Sequence, residues 1–367
     1  MRKRVPLLIV LTLLIVIAGL IIFNFDRLRG AVNKSTGDTD LEQLFDISIT
    51  REATDDMDNV ELGDAIYFTE KGRLYAYSLD NQPLWDIKMS DQVVLQYQAG
   101  RLMVAEEAVG NIYILNSAGE LQASLLGLGE LDTVELVETG QVVAVVRQSK
   151  EIRIFDENLI QQAVMEVPEG IILNFHVNHE YNRLTTLILQ DSEGELRTSV
   201  VLYNLKGEAL QVISRPDIAI NAYSYRDEIL VVVPSGVIVY KEMLTRPVAS
   251  IPMNNVKSTY LSGTTIFLET GSLDATEGQG ELAINAYSMA DRDIEFHNKL
   301  AVKYDKIVTQ DDQILLLTKN NLEIQTTSGG QVLTKTYPVP IRKATILADG
   351  RIVLVFSDRI SLNQLKH

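Results

Sequence analysis

One short apolar motif returns along this chain at nearly fixed intervals, and that recurrence narrows the possible folds more than any other feature. Tyr77, Leu115, Phe155, Tyr203, Tyr240, Tyr287, Gln325 and Asn363 are register markers separated by 38, 40, 48, 37, 47, 38 and 38 residues. The clearest of them close runs such as Leu74-Tyr75-Ala76-Tyr77, Ile112-Tyr113-Ile114-Leu115 and Val237-Ile238-Val239-Tyr240. β-Branched and aromatic residues in alternation, cut by Gly, Asn, Asp and Pro, read as strands. A period near 38 with about four strands per unit is that of a propeller. Several markers precede the same turn, as in Asn116-Ser117-Ala118-Gly119, Asn204-Leu205-Lys206-Gly207 and Thr326-Thr327-Ser328-Gly329, which is hairpin chemistry. The expected fold is all-β, an eight-bladed β-propeller of four-stranded antiparallel blades, with seven blades as the alternative count. A sandwich or two stacked barrels would also space strands at about 8–12 residues, but the eightfold recurrence argues against both.

The last unit has strands around Ala344, Arg351 and Ile360 and then ends at His367 without a fourth. Ahead of the first unit stands an orphan strand, Phe45-Asp46-Ile47-Ser48-Ile49. An unpaired edge at the seam would be a liability, so this strand is expected to supply the missing edge and close the ring.

Before that strand the chain changes character. Arg2, Lys3 and Arg4 precede residues 5–25, in which Thr12 and Asn24 are the only polar interruptions and no charge occurs. About 20 apolar residues cross a hydrocarbon core of roughly 30 Å as a helix. The basic residues ahead of the segment place the short tail, 1–4, in the cytoplasm and the bulk of the chain outside it. A cleaved signal would have a shorter apolar core and small residues where Leu20-Ile21-Ile22-Phe23 stand. The reading is therefore a single-pass transmembrane signal anchor in the cell membrane. Residues 26–44 follow as a polar tether, and the propeller occupies 45–367. With no cysteine there is no disulfide, no thiolate ligand and no lipid-bearing thiol. A net charge of −16 argues against nucleic acid as a partner.

Motifs that would carry catalysis are few. His176 and His179, three apart on a strand, point to opposite faces, and the zinc-protease signature fails because Arg183 stands at its second histidine. Gly127-Leu128-Gly129 and Gly278-Gln279-Gly280 lack the third glycine and helix of a dinucleotide fingerprint. Asp55-Asp56-Met57-Asp58 lacks the glycine and terminal glutamate of a calcium loop. No cofactor and no metal are expected.

The two long steps, 48 and 47, both place their excess between the second and third strands of a unit, in blades 4 and 6. One insertion carries Asp191, Glu193, Glu195 and Arg197; the other, residues 271–281, carries Asp274, Glu277 and Glu281. Equivalent connections emerge on one face of a propeller, so these two loops are the expected walls of an acidic recognition surface.

Gly72-Arg73-Leu74-Tyr75-Ala76-Tyr77-Ser78-Leu79-Asp80, followed by Pro83-Leu84-Trp85, resembles one repeat of the propellers related to pyrroloquinoline-quinone enzymes. That superfamily includes non-enzymatic scaffolds such as the lipoprotein of the outer-membrane β-barrel assembly machine. The layout is also similar to uncharacterised bacterial families with one anchor and an exported propeller. The chain departs from the enzymes in its single tryptophan and its lack of cysteine. The resemblance thus implies a scaffold that binds a cell-envelope protein or glycan, with no catalysis of its own. The alternative is a glycan-acting enzyme using a carboxylate pair in the central depression.

Overall fold

A computed structural model describes residues 40–366 apart from 50–58, 91, 179, 193, 272–281, 301–303, 311–312, 328–329 and 348. The segment read as the anchor and most of the tether lie outside these residues. The remainder forms eight antiparallel sheets of four strands each. In each blade, strands a to d run from the central channel to the outer wall. Seven blades are built from consecutive strands, and the eighth is not. Its strands a to c come from the end of the chain, Lys343–Ile346, Ile352–Val355 and Arg359–Lys366. Its strand d is Asp40–Ser48, paired antiparallel to Arg359–Lys366 with Ile47 opposite Ile360 and Phe45 opposite Leu362. The seam expected from the orphan strand is present, and it begins at Asp40, within the stretch assigned to the tether.

Closure is also visible in the packing. Among the described residues the buried apolar side chains fall into eight clusters, each shared by two neighbouring blades. Met103, Ile112 and Ile114 of blade 2 meet Val142, Ala144 and Phe155 of blade 3; Ile47, Val353 and Ile360 of blade 8 meet Val60, Ile66 and Phe68 of blade 1. No blade buries its faces alone, so the blades stabilise one another as repeats do. Strands b, covered on both sides, are buried through their central residues, as in Val142–Val146. Strands d, with one face in water, alternate, as in Gln161–Glu166.

The eight markers occupy one structural position. In blades 1 to 7 the pairing of strands c and d slips by one residue at the marker, as between Ala76 and Tyr77, Ile154 and Phe155, or Ile324 and Gln325. In blade 8 the slip lies between Gln43, opposite Asn363, and Phe45. Each slip is a bulge that adds one residue to strand d, and Leu84, Val248 and Leu44 are exposed there. The residue after the marker then caps the turn. Asn116 Oδ1 accepts from the backbone N–H of Ala118 and Glu120 at 3.0 and 2.9 Å, and Asn204, Asp156 and Ser78 do the same in their own blades.

Strand direction assigns the two faces. Strands a and c run from the face with the d–a and b–c connections toward the face with the a–b and c–d turns. Asp40 lies opposite Lys366, the last residue of its strand c. The chain therefore enters the propeller on the a–b/c–d face. The b–c/d–a face lies at the other end of the channel.

Candidate functional site

The strands a line the channel, and between blades 1 and 4 they enclose a cavity of about 560 Å³. Its wall includes Glu61, Tyr97, Asp132, Glu135, Leu173 and Phe175. The position of Glu135 follows from alternation along Leu131–Leu136. Val134 and Leu136 are buried in the core between blades 2 and 3. Glu135, opposite Val143, takes the other side of the strand, toward blade 4. Gln96 of blade 2 fixes that strand by donating to the Val134 carbonyl at 3.0 Å and accepting from the Leu136 N–H at 2.6 Å. Gly63 lets the Tyr97 ring reach its place, because a Cβ there would lie 2.0 Å from that ring.

The three carboxylates in this wall differ in their surroundings. Glu61 is paired with Lys343 of blade 8 at 3.1 Å. Asp132 shares Arg147 with Glu130. Glu135 has no cation or donor against it among the described residues, and burial alone pushes its carboxyl up to about 7. Tyr97 is raised as well, to about 12, first by burial and then by Asp64.

Beyond the cavity, blades 4 to 6 carry a polar chain. Asn174 donates to Asn221 at 3.1 Å, Asn221 donates to Tyr223 at 2.8 Å and to Thr259 at 3.1 Å, and the Tyr223 and Thr259 hydroxyls bond at 2.7 Å. His176 meets the Tyr223 ring edge-on at 5.4 Å. His176 thus packs within the blade 4–5 interface, while His179 lies outside the described residues. Among those residues no cluster of His, Asp and Glu has the arrangement of a metal site.

The long step in blade 4 is not the loop expected from sequence. Strands b and c simply continue, Arg183–Ser192 and Glu195–Asn204, each ten residues long. They pair out to Ser192 opposite Glu195, where the chain turns back. Gly194, at φ +84°, permits that turn, and its N–H bonds Asp191 Oδ1 at 2.9 Å. Asp191 therefore serves the turn, and Arg197 pairs with Glu195 at 3.2 Å on the exposed hairpin. Glu193, Asp274, Glu277 and Glu281 lie outside the described residues. What the sequence did not single out is the apolar company of this hairpin. Leu196 (52% exposed), Ile171 (65%), Leu173 (44%) and Ile218 (49%) all sit at the b–c/d–a ends of blade 4 or just after it, and Leu173 also lines the cavity.

Arginines at the start of strands b form a second pattern that sequence reading missed. Arg101, Arg183 and Arg351 reach the c–d turn of the following blade, at the Glu157 carbonyl (2.7 Å), the Glu242 carboxylate (2.5 and 3.0 Å) and the Leu79 carbonyl (3.1 Å). Blade 5 reverses the polarity, with Glu228 at the strand start and Arg292 in the next turn at 2.5 Å. These contacts clasp blade to blade on the face opposite the hairpin.

Solved structures share the architecture at low identity. The C-terminal WD40 domain of Sif2 superposes with TM-score 0.64 at 8% identity over 89% of this chain and 99% of that one. BamB from Moraxella catarrhalis gives 0.54 at 13% over 89% and 98%, and the computationally designed Ika8 protein gives 0.63 at 9% over 88% and 99%. Such likenesses show the propeller fold. No curated protein matches the chain. A family model does match, over residues 43–365, from within the seam strand almost to the last residue; the chain belongs to that family of unknown function, DUF5711.

Proposed function

We propose that this protein is a single-span membrane protein of the bacterial cell envelope whose extracytoplasmic propeller binds another envelope protein on its b–c/d–a face. The direction of the seam strand carries this reading. The chain enters at Asp40 on the a–b/c–d face, so a membrane anchor at residues 5–25 would hold that face toward the bilayer. The face with the blade 4 hairpin, Ile171, Leu196 and Ile218 would then point away from it. Residues 26–39, fully extended, reach roughly 50 Å, so the tether would keep the display face near the membrane. Exposed apolar residues grouped beside a rigid hairpin suit protein docking. The propeller neighbours and the resemblance of residues 72–85 to scaffold propellers agree with a binding role.

A glycan-acting enzyme is the competing reading. It would draw its acid from Glu135 and its partner from Asp132 or Glu61, both held by cations.

Two measurements in intact cells test the proposal. The chain has no cysteine, so a membrane-impermeant maleimide should label Leu196→Cys and leave Lys3→Cys unlabelled. A photo-crosslinking residue at Leu196 or Ile171 should trap a discrete protein adduct, whereas one at Leu121 on the outer wall should not. Labelling of Lys3→Cys would reverse the topology, and equal crosslinking at all three sites would remove the docking face. Hydrolysis of peptidoglycan by the wild type but not by Glu135→Gln would favour the enzyme.

A further inference from the structure

The cavity between blades 1 and 4 combines features that the docking face does not use. At about 560 Å³ it falls within the range of small-molecule sites, about 300–1,000 Å³. Its wall sets aromatic and aliphatic groups, Tyr97, Phe175 and Leu173, around one carboxylate, Glu135, that meets no cation among the described residues. A carboxylate held out of water is costly unless a cation meets it. Aromatic faces attract the same cation. The neighbouring charges are already committed: Glu61 to Lys343 and Asp132 to Arg147. Blade 4 contributes Asn174 and Phe175 to the wall, and its His176 packs against Tyr223.

We infer that this cavity binds a small amphipathic amine, its ammonium paired with Glu135 and its apolar or aromatic body held against Phe175 and Tyr97. The inference concerns a ligand in the channel and stands apart from protein docking on the rim. Before pairing, the Glu135 carboxyl must lose its proton. With that carboxyl held at about 7, preference for an amine over its neutral isostere weakens about tenfold per unit as pH falls below 7 and levels off above 8.

The test titrates the full-length protein with phenethylamine and with 2-phenylethanol by calorimetry. Wild type at pH 8 should bind the amine saturably and at least tenfold more tightly than the alcohol, and this preference should shrink about tenfold at pH 6. Glu135→Gln should bind the two probes alike while melting at or above the wild-type temperature, which shows that the fold survives. Leu173→Trp, which fills the cavity from its rim, should weaken both probes. Equal binding of amine and alcohol by the wild type, no saturable binding of either, or an amine preference that persists in Glu135→Gln would each overturn the inference.

Discussion

Two leucines three residues apart on the seam strand provide a matched perturbation. Leu41 is 2% exposed and packs in the core between blades 7 and 8, with Leu317, Leu322 and Ile324. Leu44, at the bulge, is 44% exposed. Truncating a buried leucine to alanine removes its transfer energy and leaves a cavity, about 2–5 kcal/mol. At an exposed site the change stays within about 0.5 kcal/mol. A propeller of roughly 330 residues unfolds with about 2.1 cal/mol/K per residue, or about 0.7 kcal/mol per degree. Leu41→Ala should therefore lower the melting midpoint by roughly 3–7 °C and Leu44→Ala by less than about 1 °C, read by circular dichroism of the strand signal. If the two variants melt together, or if Leu44→Ala is the weaker, the seam does not hold the ring as described.

Other expectations concern single sites. The Glu135 carboxyl sits above its unfolded value of 4.5, at about 7, so the stability it contributes is present below about 4.5 and lost as pH rises through 7; Glu135→Gln should overtake the wild type across that window, by about 3 kcal/mol at pH 8, and a gap independent of pH would refute this. Gly236→Ala would place a Cβ 2.1 Å from the Ile251 carbonyl at φ +136° and should cost more than about 2 kcal/mol in chemical denaturation, whereas Gly100→Ala, at φ +77° with nothing within 4 Å, should cost about 1 kcal/mol. A double-mutant cycle on Arg183 and Glu242, both only about a quarter exposed and joined by two hydrogen bonds, should give a coupling of about 1–2 kcal/mol; zero coupling would reduce the clasp to a surface pair.

The repeat and its seam were legible in sequence because each marker sits where the pairing must slip and the turn must begin, so the same local chemistry recurs. Tyr77, Phe155 and Asn363 hold one position even though their side chains differ. The blade 4 insertion was misread because Asp191-Ser192-Glu193-Gly194 has the composition of a loop. The residues flanking it keep strand pairing out to Ser192, and Gly194 supplies the reversal. Arg101, Arg183 and Arg351 visibly open strands b, yet their partners lie in the next blade and carry no local signal. Glu135 was the hardest to see. In Thr133-Val134-Glu135-Leu136 it has the look of a solvated alternate residue, and only the blade 4 strand about forty residues later turns its side of the sheet into a cavity wall.

Because the chain contains no cysteine, closure of the ring can be read from one engineered bond. Glu42 and Gln364 are exposed and directly opposed across the seam, at the separation of antiparallel partners that a disulfide spans. Full-length protein carrying Glu42→Cys and Gln364→Cys should oxidise to an intramolecular disulfide in nearly every monomer, while Glu42→Cys with Leu121→Cys should stay reduced. Free thiols or intermolecular dimers in the first variant would place the N-terminal strand away from the last blade and contradict the closed ring.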